Sequence, residues 1–215
     1  PLTHGNIVSV LKAGMEWLED WGAVREKVLG VLPMFHIYGL ALNYALPLSI
    51  GAEMVLVPAP KPKLYQAAIT KTRPTVLPGV PTLYDKIIEW AVETNADLSS
   101  IHTSVSGAST LPVETIERWE NATGGRLIEG YGLTETAPIL AGNPLDGTRR
   151  PGYIGLPFPN TEIRIADPDD PSRTMPDGEP GELLARGPQV FSGYLNSPEA
   201  NERAFHDGWF RTGDM

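Results

Sequence analysis

The sequence predicts an α/β fold, in which a mainly parallel sheet is covered by helices and is followed by a small β-rich subdomain of distorted-barrel type. Short apolar runs typical of strands alternate with segments of helical spacing over about the first 130 residues, with short connections. After Pro144 this alternation gives way to glycine, proline and β-type patterns. The 215 residues are 41% hydrophobic and 20% charged, which is enough apolar material for a real core.

Helices are predicted where apolar residues recur every three or four positions. This spacing supports helices over residues 6–21 and 81–92, and helices are also predicted over residues 64–72 and 112–121 and over the almost wholly apolar residues 37–50. Asn6 is the expected N-cap of the first helix, because its short polar side chain can accept from the free backbone amides there. Gly51 is expected to end the second helix, and Pro81 suits the first turn of the fourth.

Strands are predicted between these helices. The apolar runs that indicate them cover residues 28–32, 54–57, 75–77, 103–106 and 126–129. Strands that alternate with helices form a parallel sheet, and ligands bind to such sheets at the carboxyl ends of the strands. Residues 107–109 and 130–136 directly follow two of the strands, so we expect the functional site to lie there.

The C-terminal part of the chain has a different pattern. Strands are expected over residues 161–165, 182–186 and 189–194, and a short helix over residues 198–205. Seven acidic residues against two basic residues lie between Glu162 and Glu182, which indicates a solvated loop. The chain is therefore expected to divide into an α/β part over residues 1–145 and a β-rich subdomain over residues 146–215.

Composition excludes several classes of function. A net charge of −9 and an isoelectric point near 4.9 argue against nucleic acid as a partner. The chain has no cysteine, which excludes disulfides, thiolate metal sites and cysteine nucleophiles. No apolar run reaches the roughly 18 residues of a membrane span, and no signal peptide opens the chain. A cytoplasmic protein is expected, with peripheral attachment to the inner face of the membrane left open.

The stretch from Gly130 to Thr136 concentrates groups that suit a nucleotide. Glycines on both sides of Tyr131 allow unusual backbone angles and the close approach of a ligand, and a tyrosine ring can stack on a planar base. The hydroxyl of Thr134 can bond a phosphate, and the carboxylate of Glu135 suits Mg2+. The alternative is a tight strand-to-helix turn in which Thr134 and Glu135 only cap the next helix. Seven residues alone favour this alternative, because short motifs have many chance matches.

Several stretches, taken in order, resemble the motifs of the adenylate-forming superfamily, which includes acyl-CoA synthetases, luciferases and peptide-synthetase adenylation domains. The resemblance extends over essentially the whole chain, and coincidence does not produce so many matches in one order. The stretches that carry it are residues 2–6 (Leu-Thr-His-Gly-Asn), 32–36 (Leu-Pro-Met-Phe-His), 106–109 (Ser-Gly-Ala-Ser), 130–136, 181–183 with 187–188, 192–194 (Ser-Gly-Tyr) and 208–214 (Gly-Trp-Phe-Arg-Thr-Gly-Asp).

Within this superfamily the chain is most similar to bacterial long-chain fatty acyl-CoA synthetases. The similarity lies in Ala137-Pro138, in Asn143-Pro144, and in residues 152–157 with Pro159. Ligases for aryl or shorter acids share much of this sequence and are the alternative among enzymes. Outside catalysis, the alternative is a binding module that holds a nucleotide or acyl ligand without turnover.

The resemblance implies a reaction in two halves. The carboxylate of a fatty acid attacks the α-phosphate of ATP to give an acyl-adenylate and pyrophosphate, and coenzyme A then takes the acyl group. It assigns catalytic roles to His36, Thr134 and Glu135, of which Glu135 is also the expected Mg2+ ligand. The nucleotide-binding residues that it implies are Gly107, Ala108, Ser109, Glu129, Gly130, Tyr131, Gly132, Thr134 and Asp214.

Individual roles follow from the same resemblance. Tyr131 would stack on adenine, and Asp214 would accept hydrogen bonds from the ribose hydroxyls. His36 would form a gate between the acyl and thiol sites. Without the resemblance, a histidine at the head of an apolar segment is more typical of a hydrogen-bonded core residue, and an aspartate after glycine is more typical of a turn.

The resemblance also implies that the chain is the middle of a longer synthetase. The family's glycine-rich phosphate loop would precede Pro1, and the mobile C-terminal domain with its catalytic lysine would follow Met215. We therefore expect the chain by itself to be incomplete for catalysis. The sequence leaves the acyl chain length and the formation of a homodimer open.

Overall fold

Five parallel strands form the centre of the larger sheet. The computed structural model describes residues 1–18 and 25–215, and within that part of the chain the larger sheet has seven strands in the order β2-β1-β3-β4-β5-β6-β7. The parallel strands are β1 (Lys27–Gly30), β2 (Glu53–Leu56), β3 (Val76–Gly79), β4 (Thr103–Ser106) and β5 (Arg126–Tyr131). The antiparallel pair β6 (Ala141–Gly142) and β7 (Leu156–Pro157) extends one edge. The predicted α/β fold class is confirmed.

One helix precedes the first parallel strand and the others connect the parallel strands, as the sequence predicts. They are α1 (His4–Trp17), α2 (Ile37–Gly39), α3 (Leu46–Ile50), α4 (Pro62–Thr72), α5 (Pro81–Thr94) and α6 (Val113–Thr123). Proline occupies the first turn of α4 and α5, where its missing N–H costs no intrahelical bond. Gly51 ends α3 in the left-handed conformation, as predicted.

The first helix begins earlier than the sequence predicts. Thr3 is its N-cap, and the Thr3 hydroxyl accepts from the amide of Asn6 at 3.1 Å. The prediction of Asn6 as the cap is therefore wrong, because Asn6 is three residues inside the helix and its side-chain oxygen accepts from the Thr3 amide at 2.8 Å. The predicted end of this helix at residues 19–21 lies outside the described residues.

The predicted helix over residues 37–50 is a continuous helical segment with an unusual centre. Residues Leu40–Ala45 form a π-helix between α2 and α3. The widened turn carries Asn43, which is fully buried and donates from its amide to the carbonyl of Leu32 at 3.0 Å. Such a π segment is rare and often marks a functional site.

Apolar residues cover both faces of the larger sheet. On one face, Trp119 and Tyr84 are fully buried among side chains of α4, α5 and α6. On the other face, Tyr38, Leu42 and Val105 pack together beneath the π-helix. This two-sided burial is the arrangement expected of a parallel sheet.

A second sheet has four antiparallel strands in the order β10-β11-β9-β8. Its strands are β8 (Glu162–Ala166), β9 (Glu182–Arg186), β10 (Phe205–His206) and β11 (Trp209–Arg211), and α7 (Pro198–Ala204) precedes β10. The acidic stretch between β8 and β9 is largely exposed, as predicted. The boundary at residues 145 and 146 stays a prediction; β7 lies beyond that boundary but pairs with the larger sheet.

The prediction of a strand over residues 189–194 is wrong. This segment forms no ladder, and three hydrogen bonds with distant residues hold it and the adjoining Pro188 instead. The side-chain amide of Asn6 donates to the carbonyls of Pro188 and Val190, and the amide of Phe191 donates to the carbonyl of Glu135 at 2.8 Å. Gly193 adopts φ 138, which breaks an extended strand.

Among the described helices, none is long and apolar enough to cross a lipid bilayer.

Candidate active site

A cleft of about 330 Å3 opens at the carboxyl ends of β4 and β5. Eight of the eleven predicted site residues line it, and they come from three separate parts of the sequence. These are His36, Gly107, Ala108, Gly130, Tyr131, Gly132, Thr134 and Glu135. The remaining three, Ser109, Glu129 and Asp214, do not line the cleft.

The glycines around Tyr131 serve a different purpose from the one that the sequence predicts. Neither Gly130 nor Gly132 has a positive φ, so the expectation of unusual backbone angles is wrong for both. A Cβ atom on Gly132 would lie 1.8 Å from the carbonyl oxygen of Pro138, whereas one on Gly130 would lie 3.8 Å from its nearest neighbour. Position 132 therefore requires glycine, because the backbone of Pro138 lies too close to leave room for a side chain.

Glu129 lies beneath the cleft and acts on the loop after β4. Its side chain is buried, with 8% of the residue exposed, and Oε1 accepts from the amide of Leu111 at 3.1 Å. Burial raises the pKa of this carboxyl, and the bond from Leu111 opposes that rise. Glu129 thus anchors the end of the loop that contains Gly107 to Ser109, while Ser109 itself is exposed outside the cleft.

Tyr131 joins the cleft to the second sheet. Its hydroxyl donates to Oδ2 of Asp214 at 2.6 Å. Burial, and then the hydrogen bond to Asp214, raise the pKa of the Tyr131 hydroxyl, so the group remains a neutral donor at ordinary pH. Two predicted nucleotide-binding residues from distant parts of the sequence are therefore in direct contact.

Glu182 holds the segment that carries Asp214, and the sequence analysis did not identify this role. Glu182 is 5% exposed and accepts from Nε of Arg211 at 2.8 Å and from the amide of Gly213 at 3.1 Å. The Asp214 carbonyl accepts from the Leu183 amide at 2.9 Å. The sequence held one signal for this role. The strand predicted over residues 182–186 begins with an acidic residue, Glu182, although a strand beside the Asp214 motif would be buried.

Thr134 and Glu135 begin a single turn of 3-10 helix, Thr134–Thr136, and no longer helix follows it. The hydroxyl of Thr136, not of Thr134, accepts from the backbone amide at the start of that turn. The alternative of Thr134 as a helix cap is therefore wrong. Thr134 is exposed, and the Glu135 carboxylate accepts from the hydroxyl of Tyr194 at 3.0 Å.

His36 is exposed at the edge of the cleft and is not a core histidine. It forms the N-cap of α2, where its Nδ1 accepts from the amide of Tyr38 at 3.2 Å. Because Nδ1 is an acceptor, the neutral imidazole carries its proton on Nε2. The Tyr38 hydroxyl in turn donates to the Val105 carbonyl at 2.7 Å, which ties this segment to β4.

The donor set of the cleft fits a magnesium ion bound together with phosphate. Mg2+ is typically held by one or two carboxylates together with substrate phosphates and waters. Glu135 supplies one half-exposed carboxylate at the cleft wall. Nowhere in residues 1–18 and 25–215 do three or more histidine, aspartate or glutamate residues cluster to form an all-protein site.

A profile of the AMP-binding enzyme family matches residues 1–195. The chain belongs to this family. Tyr131 lies within the matched residues and Asp214 lies beyond them, and the individual roles of both stay predictions.

Curated relatives of this AMP-binding enzyme are CoA ligases. A long-chain-fatty-acid–CoA ligase of Bacillus subtilis is 41% identical over 216 residues, which cover 100% of this chain and 38% of the relative. A mitochondrial malonate–CoA ligase of Xenopus laevis is 35% identical over 246 residues, with 99% of this chain and 42% of the relative covered. The chain therefore spans well under half the length of these relatives.

Solved structures of CoA ligases and related enzymes share its fold. ATP-bound MatB from Rhodopseudomonas palustris superposes with a TM-score of 0.87 at 30% identity, covering 99% of this chain and 41% of that one. A benzoate CoA ligase from Burkholderia xenovorans gives a TM-score of 0.86 at 29% identity, covering 99% of this chain and 43% of that one. Adenylate-forming CoA ligase chemistry is thus common to its relatives, while the acids that they use differ.

Proposed function

We propose that the chain is part of an ATP-dependent fatty acyl-CoA ligase. The observation that carries the proposal is the convergence on one cleft of residues from distant parts of the chain. His36, Tyr131, Thr134 and Glu135 line the cleft, and Asp214 reaches it through its hydrogen bond with Tyr131. The names of the curated relatives support the same activity.

In the first half-reaction, an oxygen of the fatty acid carboxylate attacks the α-phosphorus of ATP and pyrophosphate leaves. This step needs positioning and charge neutralisation more than covalent help. The Tyr131 ring would stack on adenine, Asp214 would accept from the ribose hydroxyls, and Thr134 would donate to a phosphate oxygen. Glu135 would hold Mg2+, which supplies positive charge beside the phosphates when bound.

In the second half-reaction, the thiol of coenzyme A attacks the acyl carbonyl and AMP leaves. His36 lies at the edge of the cleft, with its Nε2–H available as a donor. At that position it would separate the acyl site from the path of the thiol. The loop of Gly107 and Ala108 would border the acyl-adenylate, and Glu129 would keep that loop in place through Leu111.

The lining of the cleft favours an alkyl chain over a dicarboxylic acid. A second cavity of about 30 Å3 lies directly behind the cleft and shares Val105 and Ile139 with it. Its other lining residues are apolar or glycine and come from α1, the π-helix, α3, β5 and the ends beside α1 and β7, namely Val10, Leu11, Gly14, Trp17, Leu18, Ala41, Leu42, Leu46, Ile128 and Phe158. Neither lining contains a lysine or arginine that would pair with the second carboxylate of malonate.

Exchange of pyrophosphate into ATP tests the proposal. In the full-length protein, exchange should require a fatty acid and should be lost in the Glu135→Gln variant. Malonate and benzoate should not drive it. Exchange driven by benzoate or malonate, but not by fatty acids, would assign the protein to another branch of ligases. Nucleotide binding without exchange by any acid would support a non-catalytic binding module instead.

A further inference from the structure

The side chain of Tyr194 contacts the carboxylate at the centre of the proposed site. Its hydroxyl donates to Oε1 of Glu135 at 3.0 Å, although 59 positions separate the two residues. A hydrogen bond from a hydroxyl to a carboxylate oxygen is of the stronger, charge-assisted kind.

The backbone of Tyr194 is held from both sides. Its amide donates to Oδ1 of Asn201 at 2.6 Å, and the Asn201 side-chain amide donates to the carbonyl of Tyr194 at 2.9 Å. Asn201 belongs to α7, the helix that precedes β10 of the second sheet, so Tyr194 is fixed to that helix. A Cβ atom on the preceding Gly193 would lie 2.8 Å from Asn201, which explains why glycine stands there.

The backbone of Glu135 is fixed to the same segment. The Phe191 amide donates to the Glu135 carbonyl at 2.8 Å. The Phe191 ring packs edge-on against Tyr194 at 4.8 Å and against Phe210 of β11 at 5.3 Å. Glu135 is thus held at both its main chain and its carboxylate by residues 191–194.

We propose that Tyr194 is a positioning residue for the metal-binding carboxylate. It holds Oε1 of Glu135 so that Oε2 faces a divalent cation bound with the ATP phosphates. This inference rests on the proposed function of the cleft. Thr134, Glu135, Phe191 and Tyr194 also border a shallow cavity of about 280 Å3 together with Pro1 and Leu2.

The affinity for Mn2+, measured by electron paramagnetic resonance, tests this role in the full-length protein saturated with a non-hydrolysable ATP analogue. Outer hydrogen-bond partners of metal ligands typically contribute about 10- to 100-fold to metal affinity. Tyr194→Phe should weaken Mn2+ binding about tenfold while retaining the ring that packs on Phe191. Tyr153→Phe is the matched control, because Tyr153 is 65% exposed and lies away from Glu135.

Two further measurements separate positioning from a general structural role. Binding of the ATP analogue in EDTA should be the same in Tyr194→Phe and in the unaltered protein. In a Glu135→Gln background, Tyr194→Phe should cause no further loss of Mn2+ affinity, because the carboxylate through which it acts is gone.

The possible outcomes distinguish this inference from the proposed function. If the unaltered protein binds no nucleotide, the proposed function fails, and the role of Tyr194 fails with it. If the unaltered protein binds Mn2+ with the analogue but Tyr194→Phe binds Mn2+ equally well, only the role of Tyr194 is wrong. The role of Tyr194 would also be wrong if Tyr194→Phe lowered the affinity for Mn2+ as much in the Glu135→Gln background as in the unaltered protein. It would be wrong as well if Tyr194→Phe lowered the affinity for the ATP analogue in EDTA as much as it lowered the affinity for Mn2+.

Discussion

The hydroxyl of Tyr131 donates to a carboxylate oxygen of Asp214 at 2.6 Å, across 83 positions of sequence. Tyr131 ends β5 of the larger sheet, and Asp214 follows β11 of the second sheet. The bond therefore connects the two sheets at the cleft. It also brings the proposed adenine platform next to the proposed ribose acceptor, which is the geometry that one nucleoside requires.

The first prediction separates the two partners of this bond. Asp214→Ala removes the ribose acceptor, so ATP and a non-hydrolysable acyl-adenylate mimic should each bind more weakly by about 1.5–3 kcal/mol. Tyr131→Phe keeps the stacking ring and loses only the hydroxyl, so its effect on both ligands should be smaller. Calorimetric titration of the full-length variants measures both affinities. Unchanged binding of the mimic by Asp214→Ala would show that the ribose role is wrong.

The second prediction concerns the charge of Glu135. Glu135→Gln keeps the shape of the side chain but removes the charge that would attract Mg2+, so it should impair adenylate formation more than binding of the acyl-adenylate mimic. Pyrophosphate exchange reports the first property and calorimetry the second. Equal losses in both assays would indicate a structural role for Glu135. No loss in either would leave it a surface residue, for which substitutions usually stay within about 0.5 kcal/mol of stability.

Much of the fold could be predicted from local chemistry. Apolar runs predicted each of the parallel strands. Pro81 and Gly51 marked helix boundaries, because the backbone angles that proline and glycine favour do not depend on the rest of the fold. The π-helix at Leu40–Ala45 could not be predicted, because its residues are as apolar as those of an ordinary buried helix and no local pattern distinguishes the two. The prediction of a strand over residues 189–194 fails because Asn6, 184 positions away, donates to the carbonyl of Val190 within that segment.

The candidate site shows the same division. Motif resemblance predicted that His36, Gly107 and Glu135 belong to one site, and in the structure all three line one cleft. Resemblance did not reveal Glu182 or Tyr194 as supports of Asp214 and Glu135. Each of these acts through a hydrogen bond across more than 25 positions, which no local pattern encodes.

The third prediction compares two glycines of the same motif. Gly132→Ala would place a Cβ atom 1.8 Å from the Pro138 carbonyl oxygen, so the chain must move and the cleft must distort. Gly130→Ala meets only ordinary contacts, with its nearest atom at 3.8 Å. Urea denaturation should show a loss of more than about 3 kcal/mol for Gly132→Ala, beyond the usual range for single substitutions, and less than about 1 kcal/mol for Gly130→Ala. Similar losses of stability in the two variants would mean that close packing is not the reason for glycine at position 132.

The fourth prediction follows from the raised pKa of Glu129. Because its pKa is higher in the folded chain than the ordinary value of 4.5, its contribution to stability is fully present below pH 4.5 and is lost as the pH rises through the folded value. Glu129→Gln cannot ionise, and its side-chain oxygen can still accept from the Leu111 amide. Ser106, whose buried hydroxyl lacks a partner among the described atoms, stands in register on β4 and can accept from the new amide.

Stability measured against pH checks this sign. The free energy of unfolding of Glu129→Gln, relative to that of the unaltered chain, should increase as the pH rises above 4.5. Glu114→Gln, on the exposed first turn of α6, is the control for removing an acidic charge. A relative stability of Glu129→Gln that falls with rising pH would show that the folded chain stabilises the charged form of Glu129.

The fifth prediction tests the cavity behind the cleft as the place for the end of the alkyl chain. Gly14 lines this cavity from α1, and a Cβ atom there would meet Leu46 at an ordinary 3.6 Å. Gly14→Ala should raise stability by about 0.5–1 kcal/mol, because alanine favours the helix. Its methyl group would take up space that Gly14 and Leu46 line, so activity in the full-length protein should fall for the longest fatty acids and persist for shorter ones. Gly5→Ala, in the exposed first turn of the same helix, is the matched control without a cavity. An identical profile of chain lengths in both variants would show that the alkyl chain does not reach this cavity.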